Sequence, residues 1–204
     1  TETYYLYPYM QELMLSGDNK MYFPFNKHSY QSINFEIDGP VPAPPTSENI
    51  LGTDDRGRDV FARLLYGFRL SVLFGFALTA VGTFVGIITG AVQGFFCGKT
   101  DLFFQRFIEI WGAMPELYLL IIFASIFKPS VLLLLVLLSL FSWMGLSDYV
   151  RAEFLKGRNM EYVKAAKALG VSNITIMHRH LLPNGMTPVI TFLPFRMSAS
   201  ILAL

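Results

Sequence analysis

The sequence predicts an all-α polytopic membrane protein, because it is rich in hydrophobic residues and contains long uncharged stretches. Of its 204 residues, 53% are hydrophobic and only 15% are charged, which is uncommon for a water-soluble domain. Residues 70–98 and residues 129–147 contain no charged side chain. An apolar helix of about 20 residues crosses the hydrocarbon core of a bilayer, so each stretch is long enough to span it.

Two further stretches bring the predicted number of spans to four. Residues 107–127 are apolar apart from Glu109 and Glu116, and residues 185–204 are apolar apart from Arg196. The fourth stretch stops together with the sequence. We therefore expect the chain to be a fragment whose last span is incomplete.

The distribution of charge predicts the orientation of the spans. Residues 1–50 carry six acidic side chains and two lysines, whereas residues 148–184 carry six lysines or arginines and three acidic side chains. Lys and Arg are enriched in short cytoplasmic loops of membrane proteins. Residues 148–184, called the basic loop below, are therefore predicted to be cytoplasmic, and residues 1–66 to lie outside the cytoplasm. A polar turn from Lys99 to Arg106 is predicted on the cytoplasmic side.

The extracytoplasmic part is predicted to consist of two segments that precede a transmembrane domain at 68–204. Residues 1–50 are rich in Tyr and Phe and end in a proline-rich stretch, which favours a small insert with an extended connector. Residues 51–67 place apolar side chains on one helical face, which favours a short amphipathic helix on the membrane surface. Gly67 would end this helix.

The start of that amphipathic helix is predicted from its capping residues. Thr53 or Asp54 can accept a hydrogen bond from a backbone N–H of the first helical turn. We therefore expect the helix to begin close behind them.

Glycines recur at every fourth position along the first predicted span and continue to Gly98. They form one stripe on the helix from which side-chain bulk is absent, so a second helix can approach closely. We predict a helix-packing role for the first four of them, namely Gly82, Gly86, Gly90 and Gly94.

Residues 162–184 of the basic loop have the pattern of two short helices joined by a tight turn. Alanines favour the first helix, and Gly170 lies where a helix ends with a left-handed residue. Ser172 can cap the second helix, and Pro183 is predicted to end it. This segment therefore has the features of a docking element at a membrane face.

The same segment also resembles a DNA-binding helix-turn-helix, which is a remote alternative function. Such a unit needs a third helix to bury its apolar face. The basic loop leaves no room for one between two predicted spans, so binding to nucleic acid is not expected.

No motif for catalysis or metal binding stands out. Cys97 is the single cysteine, and His178 and His180 would point to opposite sides of a helix. No Ser-His-Asp, HExxH or paired-carboxylate arrangement is present. We therefore expect no metal site and no enzymatic activity.

Gly98-Lys99-Thr100 resembles the end of a phosphate-binding loop. The motif requires a glycine where this sequence has Gln93, and the loop would contain bulky phenylalanines. We therefore expect no nucleotide or other cofactor in this chain, and any energy source must lie on a partner.

Polar groups within the predicted spans are candidates for a translocation pathway. Glu116 and Arg196 are ionisable, and burying such groups against lipid is costly. They could also lie near helix ends or pair with another subunit. Met114 is the third candidate, and Pro115 is predicted to bend the second span and open its backbone towards a pathway.

The spacing within the basic loop resembles a known family. Lys164-Ala165-Ala166 is followed by Gly170 and then by His180-Leu181-Leu182-Pro183. This is similar to the cytoplasmic loop of permease subunits of binding-protein-dependent ABC importers, where Glu-Ala-Ala is followed by Gly and by Ile-x-Leu-Pro. The alanines, the glycine and Leu-Pro agree, whereas Lys164 and His180 replace Glu and Ile.

Two upstream segments are similar to the same family. Residues 51–67 resemble the segment before the second membrane helix of the oligopeptide and dipeptide permeases. SINF at 32–35 and PVPAPP at 40–45 are similar to the branch that includes the microcin C and oligopeptide inner-membrane permeases.

The resemblance implies a type I ABC importer permease with six membrane helices, of which this fragment would hold about four. It implies transport of peptides or peptide-like compounds across the bacterial inner membrane. ATP and Mg²⁺ would bind to a cytoplasmic ATPase that contacts the basic loop. The residues implied in that contact are Lys164, Ala165, Ala166, Lys167, Gly170, Val171, Ser172, Leu182 and Pro183.

Further partners implied by the resemblance are a second permease subunit, an extracytoplasmic substrate-binding protein and membrane lipid. A passive membrane channel and a membrane scaffold with a cytoplasmic interaction loop remain alternatives.

Overall fold

The computed structural model describes Gln31, Ile33, residues 41–47 and residues 49–204. The chain divides into two compact units, Thr1–Ser71 and Val72–Leu204. Most of the insert predicted at 1–50 lies outside the described residues.

In the first unit, the proline-rich segment pairs with the chain that leads into the first helix. The N–H of Thr53 donates to the carbonyl of Ala43 over 3.1 Å, and the N–H of Ala43 donates to Oγ1 of Thr53 over 3.0 Å. Gly52 has a φ of +72°, and a Cβ there would lie 2.4 Å from the carbonyl oxygen of Ala43. Both its backbone conformation and the lack of space favour glycine at this position.

Asp54 organises the turn that follows. Its carboxylate accepts hydrogen bonds from the backbone N–H groups of Arg56 and Arg58, and it pairs with the side chains of Arg58 and Arg63. Burial opposes ionisation of this carboxylate. The hydrogen bonds from Arg58 and Arg56 and the charge of Arg58 outweigh that effect and hold the pKa of Asp54 well below its usual range.

The first described helix, α1 (Val60–Phe96), begins later than the sequence predicted. Asp59 caps it, since its Oδ1 accepts a hydrogen bond from the N–H of Phe61 over 2.9 Å. The caps predicted at Thr53 and Asp54 are therefore wrong. These residues instead support the turn before the helix.

The helix also continues through Gly67, where the sequence predicted an end. Glycine costs only about 1 kcal/mol relative to alanine inside a helix, so a single one does not stop a long apolar helix. The separate amphipathic helix predicted over 51–67 is thus wrong, because its second half forms the first turns of α1.

Shorter helical segments follow along the second unit. They are α2 (Gly98–Gly112), α3 (Glu116–Ile126), α4 (Val131–Ser142), α5 (Met144–Gly157), α6 (Glu161–Ala168), α7 (Asn173–Thr175), a π-helical turn (Ile176–Leu181), α8 (Leu182–Gly185) and α9 (Thr187–Leu202).

Within the described residues, two helices are long and apolar enough to cross a bilayer, or three if a bent pair counts as one. The two are α1 and the combined α4–α5 helix over Val131–Gly157. The bent pair is α2 and α3, whose axes differ by 65°. The helix α9 is apolar but has only 16 residues.

The bent pair corrects the second predicted span. Residues 107–127 do not form one continuous helix, because the chain breaks between Gly112 and Glu116. Pro115 lies in this break, as its predicted bending effect requires. The polar turn predicted from Lys99 to Arg106 is wrong, since these residues are helical in α2.

The glycine stripe of α1 faces α5 and the residues just before it. Built Cβ atoms on Gly86, Gly90 and Gly94 would lie 2.9, 2.4 and 2.5 Å from the carbonyl oxygens of Trp143, Ser147 and Arg151, respectively. At Gly82, a Cβ would lie 2.5 Å from Oγ of Ser142. The two helix backbones therefore touch over three turns, and any side chain on the stripe would separate them.

Candidate functional site

The first helix of the basic loop ends in a Schellman motif at Gly170. The N–H of Val171 donates to the carbonyl of Ala166 over 3.1 Å, and the N–H of Gly170 donates to the carbonyl of Lys167 over 3.0 Å. Gly170 has a φ of +78°, in agreement with the left-handed conformation expected from the sequence. Apart from its chain neighbours, no described residue lies within 4 Å of the place of a Cβ, so it is the backbone conformation and not a lack of space that favours glycine.

The second helix of the loop begins as predicted but does not end at Pro183. Oγ of Ser172 accepts a hydrogen bond from the N–H of Thr175 over 3.3 Å, which caps the helix. The chain then passes through the π-helical turn Ile176–Leu181 and continues into α8, where Pro183 lies in the first turn. The helical backbone continues past Pro183 as far as Gly185, so the prediction that Pro183 ends the helix is wrong.

One face of this helix pair is buried in the second unit. Val163 and Ile176 are fully buried, and Ala166 and Leu181 are nearly so. They belong to one core cluster with Phe154 of α5. Because a buried aliphatic side chain contributes about 1.5–3 kcal/mol, these contacts hold the pair firmly against the membrane helices.

The opposite face, which we call the loop tip, is exposed and partly apolar. Leu169 is 83% exposed and Ile174 is 76% exposed, and they flank the turn at Gly170. Ser172 and Lys164 are also exposed. Two exposed aliphatic side chains beside the turn therefore give the loop tip an apolar surface.

The residues proposed from the family resemblance divide between these two faces. Those exposed are Lys164, Ala165, Lys167, Gly170, Ser172 and Pro183, whereas Ala166 is buried and Val171 and Leu182 are half-buried. The ammonium of Lys164 pairs with Glu161 over 2.8 Å. The ammonium of Lys167 lies 5.1 Å from the ring centre of Phe95 in α1, so it adds a cation–π contact between the loop and the first span.

A buried polar cluster joins α1, α2 and α5 next to the basic loop. Gln93 and Ser147 are fully buried, and the side-chain amide of Gln93 donates to Oγ of Ser147 over 2.8 Å. Oγ1 of Thr89 lies 2.9 Å from the same oxygen. Nε2 of Gln105 donates to Oε1 of Gln93 over 3.0 Å, so the amide of Gln93 is bonded on both sides.

An ion pair reinforces the same junction. The guanidinium of Arg151 in α5 binds the carboxylate of Asp101 in α2 through two hydrogen bonds of 2.5 and 2.7 Å. The guanidinium of Arg158 donates to the carbonyl of Phe95 over 3.1 Å. Sequence reasoning missed this junction, although the lone amide of Gln93 within an uncharged glycine-rich stretch was a signal for it.

The three pathway candidates line one cavity of about 570 Å³ in the second unit. Met114 and Glu116 reach it from the break between α2 and α3, and Arg196 reaches it from α9. Nη2 of Arg196 donates to the carbonyl of Ser142 over 2.7 Å, whereas its buried Nε has no described partner. The helix break and α9 thus bring charges of opposite sign to the same space.

Within the described residues, no group of three or more His, Cys, Asp or Glu side chains could hold a metal ion. His178 and His180 both lie in the π-helical turn, and only His180 is half-buried.

Comparison with known proteins places this architecture in a family. Residues 65–204, more than half of the chain, match the family described as the binding-protein-dependent transport system inner membrane component. The chain belongs to this family. As a member, it is a multi-pass protein of the inner membrane, and its described residues are mainly helical, in agreement with the prediction from sequence.

Curated relatives of this inner membrane component carry related names. The peptidoglycan transport system permease protein YejE of Agrobacterium fabrum is 46% identical over 214 residues, which cover 93% of this chain and 56% of that protein. The inner membrane ABC transporter permease protein YejE of Escherichia coli is 48% identical over 173 residues, which cover 85% and 51%. The dipeptide transport system permease protein DppC of Bacillus subtilis is 34% identical over 160 residues, which cover 78% and 50%. The chain thus spans about half the length of these relatives.

Proposed function

We propose that this chain is the membrane-embedded part of a permease subunit in an ATP-driven ABC importer for peptides or peptide-like compounds. The names of the relatives, which include peptidoglycan and dipeptide transport systems, support the substrate class. The proposed mechanism rests on the exposure of the loop tip. An exposed apolar tip on a firmly anchored helix pair can bind a cytoplasmic ATPase and pass its movement to the membrane helices.

The route of this movement follows the contacts of the loop. Closure of the ATPase displaces the loop tip, and the buried side chains Val163 and Ile176 carry the displacement into α5. The close backbone contact and the polar cluster then oblige α1 and α2 to move together with α5. The cavity at Arg196 would open alternately to the two sides of the membrane as these helices move.

In this proposal the chain itself performs no chemical reaction. ATP and Mg²⁺ bind to the ATPase, a second permease subunit completes the pathway, and an extracytoplasmic binding protein delivers the substrate. The family has an acidic residue at the position of Lys164. In this chain the ammonium of Lys164 pairs with the carboxylate of Glu161, so an acidic group still lies beside the loop tip.

The test is ATP-dependent uptake by the full permease, reconstituted with its partner subunits in proteoliposomes. Leu169→Asp places a charge in the apolar contact with the ATPase, so we expect a loss of uptake of at least tenfold and weaker copurification of the ATPase. Met160→Asp is the matched control in the same loop. Met160 is the N-cap residue of α6, where aspartate is favourable, so this variant should transport normally.

Uptake that persists without ATP in the unmodified complex would contradict the importer and favour a passive channel. Normal copurification and uptake in Leu169→Asp would contradict the assignment of the loop tip as the contact surface.

A further inference from the structure

We propose that Arg196 is the carboxylate-binding residue of the membrane cavity, and that the cavity accepts a zwitterionic peptide segment with Glu116 facing its ammonium group. This inference rests on the proposed function and names the ligand chemistry that the pathway would recognise. The cavity of about 570 Å³ has the size of typical small-molecule sites.

The position of Arg196 is fixed by its surroundings. Nη2 donates to the carbonyl of Ser142 over 2.7 Å, and a Cβ on Gly82 would lie 2.8 Å from the same nitrogen. The absence of a side chain at Gly82 therefore provides the space that the guanidinium occupies. A long, flexible cation held in one place on the wall of a cavity is suited to recognition.

The hydrogen-bonding capacity of Arg196 is far from exhausted. A guanidinium has five N–H donors, yet the described residues provide one acceptor, and the buried Nε has none. Arg196 also forms no ion pair with a described carboxylate. A carboxylate on a ligand can accept two parallel hydrogen bonds from a guanidinium and supply the missing counter-charge.

Glu116 supplies the opposite charge in the same cavity. It lies in the first turn of α3, directly after the helix break at Pro115. A helix N-terminus is a favourable place for an acidic side chain. Two separate charges of opposite sign on one cavity wall favour a ligand that carries both an anionic and a cationic group.

The experiment measures uptake of two matched peptides by the full importer in proteoliposomes, one with a free C-terminal carboxylate and one with a C-terminal amide. Each peptide is tested with wild type and with Arg196→Gln. For wild type and for Arg196→Gln, the uptake of the acid peptide is divided by that of the amide peptide, and the wild-type ratio is then divided by the variant ratio. The same binding protein delivers the peptides in both cases, so its own preference for one peptide cancels in this quotient. We expect this quotient to be about tenfold, the value of one charged hydrogen-bonded contact.

A third peptide, amidated at the C-terminus but carrying a side-chain carboxylate, distinguishes the two sources of the carboxylate. Arg106→Gln is the matched control, because Arg106 is exposed and pairs with Glu109 outside the cavity. Its acid-to-amide ratio should equal that of wild type. Glu116→Gln tested with an N-acetylated peptide examines the cationic end in the same way.

A quotient of one for Arg196→Gln, in a complex that still transports, would overturn the inference but not the proposed function. Absence of ATP-dependent uptake of either peptide by wild type would instead refute the proposed function. If Arg196→Gln does not assemble, Arg196→Lys is used, since lysine keeps the charge but lacks the planar pair of donors that binds a carboxylate through two parallel hydrogen bonds. An unchanged acid-to-amide ratio in that variant would also overturn the inference.

Discussion

Replacing Gly90 by alanine should destabilise the protein, although alanine is the better helix former. A Cβ at Gly90 would lie 2.4 Å from the carbonyl oxygen of Ser147 and 2.8 Å from Cβ of Val150, where ordinary contacts are 3.4–4 Å. The two helices would have to separate by about 1 Å, because the atoms met are backbone and Cβ atoms that no rotamer change can move. Such overpacking costs about 1–3 kcal/mol, and the position of the clash favours the upper value.

Alanine stabilises a helix by about 1 kcal/mol relative to glycine, so the net destabilisation is about 2 kcal/mol. For a protein of this size the melting temperature should fall by about 4–8 °C. The assay is thermal unfolding of the purified permease in detergent, followed by size-exclusion chromatography. Gly145→Ala is the matched control, because Gly145 lies in α5 and has no described atom within 4 Å of a built Cβ.

This control should be as stable as wild type or more so. A melting temperature of Gly90→Ala equal to that of Gly145→Ala would refute the close contact between α1 and α5.

Three further predictions concern single residues. Gly170→Val forces a β-branched residue to positive φ, so it should destabilise the protein by about 1–2 kcal/mol and uncouple ATP hydrolysis from uptake. Gly170→Asn should retain most uptake, and equal uptake by both variants would count against a role of the left-handed turn in coupling. Ser147→Ala removes the hydroxyl bonded to Gln93 and should cost about 1–3 kcal/mol in thermal unfolding, whereas no change would show that the buried amide needs no partner. Because folding lowers the pKa of Asp54, its stabilising contribution is present at neutral pH and is lost as the pH falls below about 4, so the protection of the turn before α1 against hydrogen exchange, measured relative to the intrinsic rate at each pH, should decrease in acid. Asp54→Asn should show the low protection at both pH values, and protection that still falls with pH in this variant would contradict this role.

Sequence reasoning located the features that depend on spacing. The fourfold glycine period is visible in the sequence, and so is the glycine that ends α6, because each depends on local geometry. The partner of the glycine stripe could not be predicted, since nothing in the residues 82–94 encodes which helix approaches them.

Helix boundaries were predicted less well, because they depend on competing local signals. Gly67 and Pro183 both suggested an end, yet Gly67 lies within a long apolar helix and Pro183 lies in a first helical turn after the π-helical turn. Asp59 caps α1 although Thr53 and Asp54 are equally good caps by composition. Tertiary hydrogen bonds to Ala43 and Arg58 occupy those two residues instead.

The cavity could also be predicted only in part from the sequence. Glu116 and Arg196 were identified as ionisable groups within apolar sequence, but their meeting in one cavity depends on the break at Pro115 and on the position of α9. The polar cluster around Gln93 was not predicted, because its members come from three helices whose mutual contacts no sequence pattern reports.

The proposed function depends on contact between the loop tip and a cytoplasmic ATPase. Site-specific photo-crosslinking in the full complex tests it directly, with the crosslinking amino acid placed at Leu169 or, as a control, at Ile50 in the other unit, which is also exposed. We expect the probe at position 169 to capture the ATPase subunit and the probe at position 50 not to capture it. Capture of the ATPase from position 50 but not from position 169 would contradict both the coupling role and the orientation of the chain.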